Sequence, residues 1–147
     1  MSIGQTLTLQ GGNNAYGTAV LDGVKLQLEI ANAAGGVLGR RIVLRTLDDD
    51  NKAAQAEANA RRLATDGAFI LFGCIEGGPS TAVAKVAEEL KVPLFGPMAG
   101  SPSLRRPHSP MVFPVRAEHR EEFRALMAWG QRTGLQTVAF FHADGDV

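Results

Sequence analysis

The sequence has few of the residues that cross-link chains or bind metals. Cys74 is the single cysteine among 147 residues, so the chain can form neither an internal disulfide nor a multi-cysteine metal site. Fifteen basic residues balance fifteen acidic ones, which excludes a field that would recruit nucleic acid or an anionic membrane surface. No apolar run approaches the roughly 20 residues of a membrane-spanning helix. What remains is a chain long enough for one domain with a substantial core.

The amino terminus shows no targeting segment. Met1-Ser2-Ile3-Gly4 runs directly into a predicted strand, without the cationic and apolar stretches of an export signal. We therefore expect either a cytoplasmic protein or one whose export signal has been replaced.

Motifs for nucleotide binding and for catalysis are also missing. Gly73 and Gly78 have the spacing of a P-loop, but Pro79 stands where the phosphate-binding lysine is needed. Ser80 is not surrounded by the Gly-x-Ser-x-Gly pattern of a nucleophile elbow. Cys74 has no cationic neighbour in sequence that would lower its pKa, and we expect a packed, inert thiol. We therefore predict no enzymatic activity and no cofactor.

The acidic and histidine residues do not indicate a metal site. Asp48-Asp49-Asp50 is the densest acidic run, but adjacent residues at a strand end point in different directions. We expect Asp50 or Asn51 to cap the helix that follows. The three histidines are His108, His119 and His142. They have no ligand-like spacing, so we interpret them as solvated or locally hydrogen-bonded and predict no bound metal.

Apolar periodicity divides the chain into alternating strands and helices. Strands are predicted at 3–9, 41–47, 68–72, 92–95, 111–115 and 136–142, and helices at 17–34, 51–65, 79–90 and 118–132. The alternation predicts an α/β fold, an open parallel sheet with helices on both faces. The last predicted strand is not followed by a helix, and we expect this sequence to be the first part of a longer chain.

Three loops rich in small residues follow predicted strands, at 11–17, 73–81 and 96–103. In an open parallel sheet such loops gather outside the carboxyl ends of the strands, where small ligands bind. Helix N-termini at these places leave N–H groups that can hold an anion. Tyr16, the only tyrosine, lies in the first loop and is either packing filler or a rim residue over a ligand. The loops predict a binder of a small, acid-bearing molecule.

Several short segments carry a family resemblance. The first segment runs from residues 16–17 to residues 22–23, and the second runs from residues 33–39 to residues 47–50. The others are residues 64–67, 71–73 and 92–97. In this order and spacing they resemble the amino-terminal part of a type I periplasmic binding protein, of the leucine/isoleucine/valine-binding group that serves ABC transporters. The resemblance implies two α/β lobes that close on a ligand, with residues 1–115 in the first lobe and 116–147 beginning the second, which is incomplete in this sequence.

The resemblance also implies a binding site and a periplasmic location. Residues that align with ligand contacts of the family are Tyr16, Gly77, Gly78, Met98, Ala99 and Gly100. Amino-acid binders usually carry hydroxyl side chains where Gly77 and Gly100 stand, so Ser80 or Ser101 is expected to substitute. Backbone N–H groups of the glycines would hold a carboxylate, and the Met98 carbonyl would accept from an ammonium group.

The function implied is capture of a small carboxylate, foremost an aliphatic or branched-chain amino acid, for delivery to a membrane permease of an ABC transporter. One alternative is a sensor or receptor domain of the same fold that binds an amide or an aromatic acid. Another is a small-molecule hydrolase or transferase using Ser80 or Cys74, although no activating base is visible for either.

Overall fold

A computed structural model of the chain describes residues 1–11 and 14–141. The strands are β1 (Ser2–Leu7), β2 (Val43–Asp48), β3 (Ile70–Phe72), β4 (Leu94–Phe95) and β5 (Val112–Phe113). The helices are α1 (Asn14–Ala33), α2 (Ala53–Thr65), α3 (Gly77–Leu90) and α4 (His119–Arg132), with a single 3-10 turn at Pro102–Leu104. None of these helices, within the two described ranges, is long and apolar enough to cross a membrane.

The five strands form one parallel sheet in the order β2-β1-β3-β4-β5. Strand connections run from β1 outward to β2, and then from β3 outward through β4 to β5. The direction therefore reverses between β1 and β3, which is the point where open α/β sheets bind ligands. The predicted α/β fold with a parallel sheet is confirmed.

Helices cover both faces of the sheet, as the alternation of side chains along β1 shows. Gly4 faces α2, where a Cβ on this glycine would lie 2.9 Å from the Leu63 Cβ. Ile3 faces the other way and shares an apolar cavity with Val20 and Val24 of α1. Because successive strand residues point to opposite faces, α1 and α2 lie on opposite sides.

The main core lies between the sheet and the pair α2 and α3. Its fully buried members include Ala60, Leu71, Val86 and Leu94. The α1 face is less covered, since only Gly17 and Leu21 of that helix are buried. Phe95 and Phe113 are each 47% exposed on it. On α3, by contrast, Val83, Val86 and Ala87 are buried, and Leu90 at its end is exposed.

The starts of α1 and α2 differ from the predicted ones. Helix α1 begins at Asn14, so the end of the first loop, including Tyr16, is helical. Helix α2 begins after Lys52, which makes no side-chain cap, so the prediction that Asp50 or Asn51 caps it is wrong. Both residues have positive φ angles, 50° and 55°, and form a left-handed turn before the helix.

The predicted strand at 136–142 is not formed over its described part. Residues 136–141 have no regular structure, and His142 lies outside the described residues. A strand needs a neighbour for its backbone hydrogen bonds, and no described strand runs beside this segment. The aromatic ring of Phe140 instead packs edge-on against Phe123 of α4, with ring centroids 5.1 Å apart.

Candidate functional site

The three small-residue loops meet at one edge of the sheet, as predicted. They follow β1, β3 and β4, which are adjacent parallel strands whose carboxyl ends point the same way. Gly12 and Asn13 of the first loop lie outside the described residues. The third loop leads into the 3-10 turn and not into an α-helix, so only the first two precede helix N-termini.

A cavity of about 370 Å³ opens at this edge. Its volume lies within the range of small-molecule sites. The residues that line it are Asn51, Ala53, Ile75, Glu76, Gly77, Gly78, Pro79, Ala99, Ser101, Arg116 and His119. Four of the predicted site residues, Gly77, Gly78, Ala99 and Ser101, therefore line one cavity.

The N-terminus of α3 presents two free N–H donors to this cavity. Glu76 precedes the helix, and its side chain does not cap it. The first N–H of the helix with a hydrogen-bond partner is that of Ser80, which donates to the Glu76 carbonyl over 2.9 Å. Pro79 has no N–H. Within the described ranges, the N–H groups of Gly77 and Gly78 donate to no protein acceptor. The helix end therefore offers a compact pair of donors for an anion.

Ser101 places a hydroxyl beside these donors. The residue is only 6% exposed, yet its Oγ forms no hydrogen bond to any part of the chain that the structure describes. A Cβ on Gly77 would lie 2.9 Å from this Oγ. Ser101 thus occupies the space that a side chain at position 77 would need, which supports it over Ser80 as the substitute hydroxyl.

The His119 ring occupies the space that a side chain at position 100 would need. A Cβ at position 100 would lie 2.5 Å from Nδ1 of His119, closer than such contacts come. The His119 N–H also donates to the Gly100 carbonyl over 3.0 Å, which ties the start of α4 to the third loop. An imidazole therefore stands where a hydroxyl side chain was expected.

Arg116 lines the cavity and pairs with Glu122, which lies outside the lining. Two guanidinium nitrogens of Arg116 donate to the two Glu122 carboxylate oxygens over 2.7 and 2.8 Å. His119 Nδ1 lies 3.6 Å from Oε2 of the same carboxylate. The hydrogen bonds from Arg116, together with the smaller influence of His119, lower the pKa of Glu122. Glu122 in turn raises the pKa of Arg116, so this pair stays ionised at neutral pH.

The third loop is held in shape by Arg105. Its guanidinium donates to the carbonyls of Ala99 and Ser101, at 3.2 and 2.9 Å, and to that of Arg116. The Met98 N–H donates to the Cys74 carbonyl over 2.9 Å. Among the described residues the Met98 carbonyl accepts no hydrogen bond, but Met98 is not part of the cavity lining. Met98 lines a different cavity, the apolar one beneath α1.

Four of the predicted site residues do not line the cavity: Tyr16, Ser80, Met98 and Gly100. Tyr16 lies in the first turn of α1, is 54% exposed and influences Arg116 electrostatically, so it stands beside the cavity and not in its lining. Ser80 is fully buried in α3, and its Oγ has no described partner. Its placement fits packing better than ligand contact.

Cys74 is a buried thiol, as predicted. The residue is 1% exposed in the core, and burial raises the pKa of its thiol, with a smaller contribution from Asp49. A thiol that stays protonated and inaccessible cannot act as a nucleophile at neutral pH. No group of three or more metal-binding side chains occurs in the residues described.

These features agree with the comparison with known proteins. The family model for periplasmic binding proteins matches residues 1–147. The chain belongs to the periplasmic binding protein family. The five-stranded sheet matches a lobe of the type I fold, and the resemblance to the leucine/isoleucine/valine-binding group is confirmed.

Three relatives illustrate the match. Leu/Ile/Val-binding protein homolog 3 of Brucella melitensis is 31% identical over 104 residues, which are 71% of this chain and 28% of the relative. A substrate-binding periplasmic protein from Ralstonia solanacearum has a crystal structure that covers 91% of this chain and 38% of its own, with 29% identity and a TM-score of 0.83. A branched-chain amino acid transporter substrate-binding protein from Streptococcus pneumoniae, solved with isoleucine, is 30% identical over 65% of this chain and 28% of its own, with a TM-score of 0.62.

The chain spans less than a third of the length of the curated relative.

Sequence reasoning missed two residues of the site, Arg116 and His119. The histidine spacing predicted a solvated or locally hydrogen-bonded His119, and no sequence motif included Arg116. One signal was available: both residues follow β5, at the point where the resemblance implies that the chain leaves the first lobe.

Proposed function

We propose that this chain forms part of an extracytoplasmic solute-binding protein that captures a small carboxylate and delivers it to the membrane permease of an ABC transporter. The observation that carries the proposal is the cavity at the edge of the sheet. There the free N–H groups of Gly77 and Gly78 stand beside the hydroxyl of Ser101, a residue that is only 6% exposed and whose hydroxyl has no partner among the described residues. These are donors for an anionic head group, and no described neighbour uses them.

The preferred ligand is an aliphatic or branched-chain amino acid. Its carboxylate would bind the donors at the start of α3, and its ammonium group would donate to the free Met98 carbonyl. The names of the relatives from Brucella melitensis and Streptococcus pneumoniae support this choice. A periplasmic location and a non-enzymatic role follow from the same family membership.

Binding would proceed by closure of two lobes. In this proposal residues 1–115 belong to the first lobe and residues from 116 onward begin the second. Helix α4 supports that division, since none of its residues is buried against the sheet. Tyr16, at the rim, would lay its ring on the ligand as the lobes approach. Contacts made only in the closed form would provide the selectivity.

The proposal is tested by ligand binding to the protein with its second lobe present. Native mass spectrometry of the purified protein should reveal a bound small acid, and calorimetry should detect binding of L-leucine, L-isoleucine or L-valine. Ser101→Ala should weaken that binding by about tenfold to a hundredfold, because a hydrogen bond to a charged group contributes about 1.5–3 kcal/mol.

Ser103→Ala is the matched control. Ser103 lies on the same loop, but it is exposed and its hydroxyl bonds to Thr81 over 3.0 Å. Its variant should bind like the wild type. Equal losses in both variants, or no bound acid and no binding of any of these amino acids, would contradict the proposal.

A further inference from the structure

His119 stands in a position that packing alone does not explain. It is the first residue of α4, a helix with no buried residue, yet its ring reaches back to the third loop and lines the cavity. The ring fills the space beside Gly100 so closely that no side chain fits there. The backbone bond from His119 to the Gly100 carbonyl fixes this approach at 3.0 Å.

The orientation of the ring leaves one nitrogen free. The edge that carries Nδ1 faces both Gly100 and the Glu122 carboxylate. The opposite edge carries Nε2, which forms no hydrogen bond to any residue in the described ranges, and the side chain is 31% exposed. An imidazole with a proton on Nε2 is a hydrogen-bond donor, whether or not Nδ1 also carries one.

The surroundings favour an anion at this nitrogen. The cavity that His119 lines is also lined by Gly77 and Gly78 at the N-terminus of α3, by Ser101 and by Arg116. Glu122 lies behind the ring, where it neutralises Arg116 and does not line the cavity. Glu76 is the acidic residue among the described residues that line the cavity. It directly precedes α3, whose free N–H groups attract an anion.

We propose that His119 is a direct ligand contact and a specificity-determining residue, whose Nε2–H donates to the carboxylate of the bound molecule alongside Gly77, Gly78 and Ser101. The inference rests on the proposed function. It adds that recognition of the head group needs a side chain from the segment that leaves the first lobe. It also makes the site selective for a free acid over the corresponding amide, which offers less charge to the imidazole.

The experiment compares an acid with its amide on the protein with both lobes. L-leucine and L-leucinamide are the probes, and calorimetry measures their affinities. His119→Ala should weaken leucine binding by about tenfold and leave the weaker leucinamide binding within about twofold, since charge-assisted bonds are the stronger ones. His119→Gln keeps a donor at a similar reach and should recover part of the loss.

Two glycine variants test the contact without altering the histidine. Gly100→Ala places a Cβ 2.5 Å from the imidazole and should displace it, so that leucine binding falls as in His119→Ala. The variant that combines Gly100→Ala with His119→Ala should bind leucine no more weakly than either single variant. Gly23→Ala is the control, because a Cβ there meets no atom within 4 Å. Melting temperatures verify that each variant is folded.

The outcomes separate this inference from the proposed function. If wild type binds leucine and His119→Ala binds it equally well, or if the variant loses leucine and leucinamide to the same extent, His119 is not a carboxylate ligand, while the proposed function stands. If wild type binds none of the branched-chain amino acids and carries no small acid, the proposed function fails, and this inference fails with it.

Discussion

At the scale of single residues, the shape of the site depends on side chains that fill the space beside neighbouring glycines. Gly77 and Gly100 lack side chains, and Ser101 Oγ and the His119 ring fill the volumes that Cβ atoms would take. Functional groups therefore reach the cavity from positions other than those where the family resemblance expected them. A glycine at a ligand-facing position is informative about its neighbours, since it permits a close approach that no other residue allows.

Asp49 links the end of β1 to the turn before α2. Its carboxylate is 1% exposed and accepts hydrogen bonds from the hydroxyls of Thr6 and Thr8 at 3.0 and 2.9 Å, and from the Asn51 N–H at 3.0 Å. It thereby ties the end of β1 to the turn that precedes α2. The acidic run predicted as helix caps is in this respect a loop anchor.

Replacing Asp49 by alanine should lower the free energy of unfolding by about 2–4 kcal/mol, because buried donors on three residues lose their acceptor. Asp50→Ala is the neighbouring control. Asp50 is exposed and pairs with Lys52 at the surface, so its loss should change stability by less than about 1 kcal/mol. Urea denaturation measures both. Similar losses for the two variants would show that Asp49 is not the anchor.

At the scale of elements, α1 is attached to the sheet mainly through its first turns. A Cβ on Gly17 would lie 1.9 Å from the Thr8 carbonyl oxygen, so the helix and the loop after β1 touch backbone to backbone. Further along, the helix is largely exposed on its outer side, with Leu26 and Ile30 more than half accessible. The position of Tyr16 at the rim follows from this single close contact.

Two substitutions of glycine by alanine in α1 should therefore have opposite signs. Gly23→Ala should raise the free energy of unfolding by about 0.5–1 kcal/mol, since alanine favours helix and the position is open. Gly17→Ala should lower it by about 1–3 kcal/mol, because the backbone of Thr8 must move. Thermal unfolding of both variants decides the matter. A stabilising Gly17→Ala would contradict the close contact.

The same elements show what the sequence could and could not predict. The alternation of apolar runs predicted the five strands and four helices of the described residues, because apolar residues recur with the period of each element. Prediction failed at 136–141, where strand formation depends on a neighbour, and at Asp50 and Asn51, where a left-handed turn shifts the start of α2. His119 and Arg116 were missed because their places depend on how α4 returns to the third loop, a contact that no local pattern encodes.

At the scale of the whole molecule, the two-lobe proposal makes the described site one wall of a cleft. All the donors come from the edge of one sheet, and His119 and Arg116 come from the segment that leaves it. Helix α4 exposes Phe123, Leu126 and Trp129 between 45% and 59%. Under the two-lobe proposal, these side chains would be covered by further parts of the second lobe, and the open side of the cavity would face that lobe.

Ligand binding should then change both stability and shape in a chain that contains both lobes. At a leucine concentration of 100 Kd, the free energy of unfolding should rise by about 2.7 kcal/mol, as expected for a ligand that binds only the folded state. The radius of gyration from X-ray scattering should fall at the same concentration, because the ligand stabilises the form in which both lobes contact it. Ser101→Ala should show both changes only at a correspondingly higher leucine concentration. Stabilisation without compaction would contradict closure on the ligand, and the stability gained would then come from the first-lobe donors alone.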